Sequence, residues 1–252
     1  MVKIKYKRGT HVGVVLSFVV FVTFLIFLFS ILEPVINIQQ GKENVLNGLE
    51  AELIEYISSD LTEATISLNT SSINKTYDSG PPEQFYDCIN ISHIANTSIS
   101  NLTVKNNEGK IVAINYTTQY LKINWTDNSK DFFKLYYTNE SLNNVLLVPI
   151  VCTNIKEGKN YTIGLVKTDN YPFESKIIDL NNEYNINYAG LKQNLKMGTN
   201  DEFWFSFTNS SGITINPPEK NTSREIFAKE ITIQYVDINA DIQSGFINLR
   251  VW

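Results

Sequence analysis

The chain opens its pattern with a run that has no polarity to alternate. Val12–Leu32 holds 21 residues without an ionisable side chain. As a helix these would span about 31 Å, enough for the hydrocarbon core of a bilayer. Glu33-Pro34 follows and is expected to end the span. Leu46, Leu49, Leu53, Ile57, Leu61 and Ala64 then recur at spacings of three and four, with Glu43, Glu50, Glu52, Glu55 and Asp60 on other faces. That is an amphipathic helix, with a break expected near Pro34 or Gly41.

From residue 62 the period shortens. Leu121, Ile123 and Trp125 alternate with Tyr120, Lys122 and Asn124. Val112, Ile114 and Tyr116 alternate with Ile111, Ala113 and Asn115. Tyr161, Ile163 and Leu165 alternate with Asn160 and Thr162. Turn signals such as Asn106-Asn107-Glu108-Gly109 and Asp127-Asn128-Ser129 separate these runs. Strands at 110–117, 120–126 and 131–138 are close enough for a meander. Asn181–Met197 reads as one helix capped by Gly198. Asp201–Thr208 is a strand with Phe203, Phe205 and Phe207 on one face. Glu230–Val236 and Gly245–Trp252 form a hairpin joined by Asp237–Ser244.

The expected fold is α+β. A transmembrane helix continues into an amphipathic helix, followed by a β-rich, antiparallel, sandwich-like extracellular head with one short helix. The expected divisions are a cytoplasmic basic leader (1–11), a transmembrane helix (12–32), an amphipathic stalk helix (33–61) and the head (62–252). A division of the head near 155–170 is the alternative.

Charge orients this layout. The net charge of −5 argues against a nucleic-acid partner. It conceals Lys3, Lys5, Lys7 and Arg8 in the first ten residues, which leaves 17 basic against 26 acidic residues after them. The positive-inside rule places the N-terminus in the cytoplasm and residues beyond about 33 outside the cell membrane. A cleavable secretory signal is the rival reading. The apolar run is longer than such signals use, and Ile31-Leu32-Glu33-Pro34 offers no small-x-small cleavage site.

Candidate chemistry fits an exterior. Asn-x-Ser/Thr acceptors occur at Asn69, Asn74, Asn90, Asn96, Asn101, Asn115, Asn124, Asn139, Asn160, Asn209 and Asn221. From the Asn, Ser and Thr content chance predicts roughly five, so N-glycosylation is expected; a partly compositional origin is the other reading. Cys88 and Cys152 would both lie outside, where a disulfide can persist. Asp237, Asn239 and Asp241 begin like a calcium loop, but Ile242 and Asn248 stand where its Gly and Glu belong, which favours a hairpin turn. His93 lacks any nucleophile motif around it. No catalytic residue, metal or cofactor is expected, and the chain reads as no enzyme. The tryptophans Trp125, Trp204 and Trp252 are read as core rather than as a sugar platform.

Lys7-Arg8-Gly9 followed by Thr10-His11-Val12 and an unbroken apolar helix resembles the class III signal peptide of archaeal type IV pilin-like proteins. The resemblance implies cleavage between Gly9 and Thr10 by a prepilin-type peptidase. It implies a helix that packs against identical or related pilin-like subunits, and a β-rich head with N-glycans. The ending Gly245–Trp252 is similar to that of archaeal surface proteins with such an N-terminus. The function expected is therefore a structural cell-surface protein, a pilin-like subunit anchored or assembled through its hydrophobic helix. The alternative is a membrane-anchored, glycosylated adhesin or ligand-binding β-domain that forms no filament.

Overall fold

A computed structural model describes residues 11–69, 85–92, 101–116, 120–125, 132–146 and 153–252. One helix, α1 (His11–Ile57), runs unbroken for 47 residues, about 70 Å. The break expected at Pro34 or Gly41 does not occur. A proline removes one helix hydrogen bond, and here complete turns on both sides carry the helix through.

Strand β1 (Ser58–Leu68) starts on the residue after α1, so the helix stops four residues short of the expected 61. Leu61 and Ala64 keep a helical spacing but belong to β1, where Thr62, Ala64, Ile66 and Leu68 are buried at period two. Distant residues settle the ambiguity by satisfying the end of α1. Ser58 Oγ donates to Ile54 O (2.6 Å), Phe173 N donates to Ile57 O (3.0 Å) and Lys176 Nζ donates to Ser58 O (2.7 Å).

Eight further strands follow: β2 (Phe85–Asn90), β3 (Asn101–Asn106), β4 (Ala113–Tyr116), β5 (Tyr120–Trp125), β6 (Phe132–Thr138), β7 (Val145–Leu146), β8 (Thr153–Asn154) and β9 (Tyr161–Pro172). They form an antiparallel sheet in the order β3-β6-β1-β9 and a second sheet in the order β7-β4-β5-β2-β8. The second is antiparallel at its centre, with β7 and β8 pairing in parallel at its edges. Ala64, Ile66, Val104 and Leu135 from the first sheet meet Ile89, Ile114, Leu121 and Ile123 from the second in one core.

The expected meander holds for β4 and β5, which pair directly. It fails at β6, which crosses to the first sheet and lies between β3 and β1. Phe133 and Leu135 enter the core on one face of β6, and Tyr136 is buried on the other. The two faces are covered by different layers, Phe133 and Leu135 by the core between the two sheets and Tyr136 by Leu61, Leu142, Phe173 and Val236.

Strand β9 departs from simple alternation. Its register with β1 shifts between the pairs Ala64↔Val166 and Ile66↔Ile163, a bulge that inserts one residue. Leu165, expected on the face of Tyr161 and Ile163, is turned out and is 73% exposed.

After β9 come α2 (Glu174–Ile186) and α3 (Tyr188–Asn194). The single helix expected at 181–197 therefore starts seven residues early and divides at Asn187. There the backbone leaves helical geometry (φ −140°) and the Asn187 side chain accepts from Gly190 N at 3.2 Å, capping α3. Lys196 takes the left-handed turn that ends the segment (φ 51°), two residues before Gly198. Strands β10 (Phe203–Thr208), β11 (Thr214–Ile215), β12 (Phe227–Val236) and β13 (Ile242–Val251) form a third antiparallel sheet in the order β11-β10-β13-β12.

This third sheet packs on α1. Leu46, Leu49, Leu53 and Ile57 meet Phe203, Phe205, Phe207, Leu249 and Val251, with Leu180, Tyr184 and Leu191 from α2 and α3. A further cluster of Leu61, Tyr136, Leu142, Phe173, Val236 and Ala240 joins the third sheet to the first. The segment 58–172 is thus an insertion between α1 and α2, with its own core.

Candidate functional site

The N-terminal half of α1 is apolar and uncovered. Val12–Glu33 has a mean hydropathy of 3.0 and none of it is buried; by length and composition it can cross a membrane. Its hydroxyls are satisfied internally. Thr23 Oγ1 donates to Val19 O and Val20 O, and Ser30 Oγ to Ile26 O, all at 2.9 Å. The segment presents almost only hydrocarbon.

The other half of α1 is fixed in the head. Beyond the leucine stripe, its polar residues are engaged across the interface. Lys42 pairs with Asp201 (2.7 Å), Glu52 with Lys196 (2.8 Å), and Lys229 Nζ reaches Asn47 (2.9 Å) and Glu50 (2.5 Å). Two open clefts flank the helix here. One of about 390 Å³ lies between Glu43, Asn47 and Phe227, and one of about 370 Å³ between Asn44, Gly48 and Met197.

An aromatic cluster supports this region. Tyr184 OH donates to Phe203 O (2.7 Å), and Tyr188 OH accepts from Phe203 N (3.0 Å). Burial pushes the Tyr184 phenol up to about 12, and burial likewise raises Tyr188. Lys220 Nζ lies 3.4 Å from the centre of the Tyr188 ring, a cation–π contact. Burial works against ionisation of Glu202. Hydrogen bonds from Tyr188 and Lys192 and the charges of Lys192 and Lys220 outweigh it and hold the carboxyl low.

Trp204 is buried beneath Arg250 (4.5 Å), with its Nε1 donating to Pro217 O (3.0 Å). Trp252 is buried as well, so neither offers an exposed platform. Trp125 lies in β5.

The glycan acceptors are unevenly placed. Nine of the eleven fall within 58–172. Asn69, Asn139 and Asn221 are exposed. Asn90, Asn101 and Asn115 are half-buried in β2, β3 and β4, and Asn124 lies in β5. Asn209 is half-buried and closes a turn, its Oδ1 accepting from Ser211 N (3.0 Å) and Ile213 N (2.9 Å). Asn160 departs from the expectation of a wet face. It is only 8% exposed, and its Oδ1 accepts from Lys156 N (3.0 Å), closing the turn before β9. Lys122 is also buried, and burial lowers its pKa, so the face of β5 opposite Leu121 and Ile123 is partly covered. Asn74, Asn96, His93, Gly9 and Thr10 lie outside the described residues.

Cys88 is buried in β2 and disulfide-bonded. The chain's other cysteine, Cys152, lies outside the described residues; the strand after it, β8, pairs with β2 through Asp87↔Thr153 and Cys88↔Asn154.

The segment 237–241 is a turn. Asp237 Oδ1 accepts from Asn239 N (2.8 Å) and Asp241 N (2.9 Å). It docks on the first sheet: Asn143 N donates to Ile238 O (2.7 Å), and buried Lys105 pairs with Asp241 (2.6 Å). These two anchors carried no signal in the sequence, because Ile238 lies 95 residues from Asn143 and Asp241 lies 136 from Lys105. Among the described residues no group of three His, Cys, Asp or Glu could hold a metal ion.

Comparison with protein-family models, with curated proteins and with solved structures finds no match for this chain.

Proposed function

We propose that the chain is a structural cell-surface protein, a pilin-like subunit anchored or assembled through α1. The observation that carries this reading is the division of one unbroken helix. About half is bare hydrocarbon, and the rest is the spine of a folded head. Such a helix transmits the position of its apolar half directly to the head, which suits a membrane anchor and a subunit that packs helix against helix.

In this reading a prepilin-type peptidase cuts between Gly9 and Thr10, the N-terminus starts in the cytoplasm and the head is extracellular. The inserted segment is a two-sheet sandwich bearing most of the glycan acceptors. Its disulfide joins Cys88 to Cys152, which is consistent with an exported, oxidising setting. Partners are the membrane and identical or related subunits, with no nucleic acid.

One observation favours the second reading, a membrane-anchored adhesin or ligand-binding domain without a filament. Type IV pilins usually carry Glu at the fifth position after the cut, and here that position is Val14. Electron micrographs of producing cells separate the two. Filaments labelled by antibody to the head, lost on deletion of residues 12–32, support the pilin-like subunit. Label spread over the cell surface without filaments supports the anchored domain.

A further inference from the structure

Between β11 and β12 the chain crosses from one edge of the third sheet to the other as a strap, 216–226. Among the described residues this strap makes no backbone–backbone hydrogen bond, and Pro218, Glu219, Lys220 and Asn221 are exposed. Its fastenings each use a side chain. Trp204 Nε1 donates to Pro217 O (3.0 Å), Arg250 pairs with Glu219, Arg224 Nη1 donates to Asn200 O (3.2 Å), and Lys220 reaches Tyr188. A segment held in this way opens at a lower free energy than the sheet beneath it.

The recess that Lys220 enters is built without the strap. Tyr184 and Tyr188 meet edge to face (4.7 Å, 63°), and the backbone of Phe203 fixes both. Tyr184 OH donates to Phe203 O (2.7 Å), and Phe203 N donates to Tyr188 OH (3.0 Å). The Phe203 ring stacks on Tyr188 (5.5 Å, 21°), which leaves one face of Tyr188 for another group. Lys220 Nζ lies 3.4 Å from the centre of that ring and 5.3 Å from the centre of Tyr184. Glu202 supplies negative charge. Its Oε1 accepts from Lys192 (3.1 Å), while its Oε2 lies 3.8 Å from Lys220 Nζ, too far for a hydrogen bond. Two aromatic walls and a carboxylate together recognise an alkylammonium. Lys220, tethered through the strap, stops short of Oε2; a free ammonium can sit on the ring and donate to Oε2 at once.

We propose that Tyr184, Tyr188 and Glu202 form a binding site for a primary alkylammonium group, filled in this structure by Lys220 and opened to a group from another molecule when the strap lifts. The acceptor at Oε2 favours a primary over a quaternary ammonium, which has no N–H to donate.

The test uses the full chain in non-ionic detergent micelles with ring-labelled tyrosine. It follows the Tyr188 NMR signal, assigned by its loss in Tyr188→Phe. In Lys220→Ala, n-butylammonium is expected to shift that signal saturably and n-butanol to leave it in place. The parent should need about ten times more n-butylammonium, because its own Lys220 must first leave. Glu202→Gln added to Lys220→Ala should weaken binding about threefold, and tetramethylammonium should bind more weakly than n-butylammonium. Nα-acetyl-lysine amide separates the sources of the ammonium: binding tighter than that of n-butylammonium assigns the site to a lysine of another chain, and equal binding to a free amine. A response to n-butanol equal to that to n-butylammonium, equal affinity in the parent and Lys220→Ala, no saturable shift in Lys220→Ala, binding indifferent to Glu202→Gln, or tetramethylammonium bound as tightly would each overturn the proposal.

Discussion

At the scale of single residues, the head is closed by contacts that leave little tolerance. Gly245 on β13 lies where a Cβ would sit 2.8 Å from both Thr208 O and the Phe207 ring and 3.1 Å from the Tyr235 ring. A backbone oxygen and two packed rings cannot all give way, so Gly245→Ala should cost about 2–3 kcal/mol in denaturant unfolding. Tyr184 makes the head sensitive to alkali. Its folded pKa, raised to about 12, exceeds the unfolded value of 10.0. The stabilisation is therefore complete below pH 10 and is lost as pH rises from about 10 to 12. Tyr184→Phe should flatten that decline in an unfolding series, while losing the bond to Phe203 O. Asn160 should carry no glycan when the exposed Asn139 does, because its side chain is buried within a turn; peptide mapping of the chain purified from its native cells reads this directly. The sequence marked both as equal acceptors, since a three-residue motif carries no information about the turn that buries one of them.

At the scale of elements, local pattern was a sound guide where one face decides the structure. The stripe Leu46, Leu49, Leu53, Ile57 is buried on the third sheet as its spacing implies, and Phe203, Phe205 and Phe207 share the core. It failed where a distant partner decides. Leu61 and Ala64 continue the helical spacing, yet the strand begins at Ser58, where Phe173 takes the last carbonyl of α1 and Lys176 the first of β1. The register shift in β9 likewise came from pairing with β1, not from the alternation of β9 itself. The two halves of α1 should answer differently to truncation. Leu53→Ala removes a fully buried side chain and should cost about 3–4 kcal/mol of head stability. Phe18→Ala, on the bare half, should leave head unfolding within about 0.5 kcal/mol of the parent. Equal effects would mean that the head does not fold on α1 as described.

At the scale of the whole molecule, the chain is built as a long helix with a bare apolar first half, a third sheet packed on its second half, and an inserted pair of sheets docked through Lys105, Asn143 and the turn 237–241. The basic start, the apolar span and the acidic, Asn-rich remainder were legible at once, because charge and hydropathy are local sums. The insertion was not, since α1 and β12–β13 belong to one core although some 170 residues separate them. Docking by Lys105 predicts that Lys105→Met, which keeps the buried bulk and deletes the charge, loosens the inserted segment from the third sheet. Hydrogen exchange should then rise at Ile238 and Asp241 while β12 stays protected. The central claim is that this helix belongs to a processed, pilin-like surface subunit. Mass spectrometry of the mature protein's N-terminal peptide tests it most directly. The account predicts a chain that begins at Thr10; a chain that retains Met1 and the basic segment through Gly9 would contradict it.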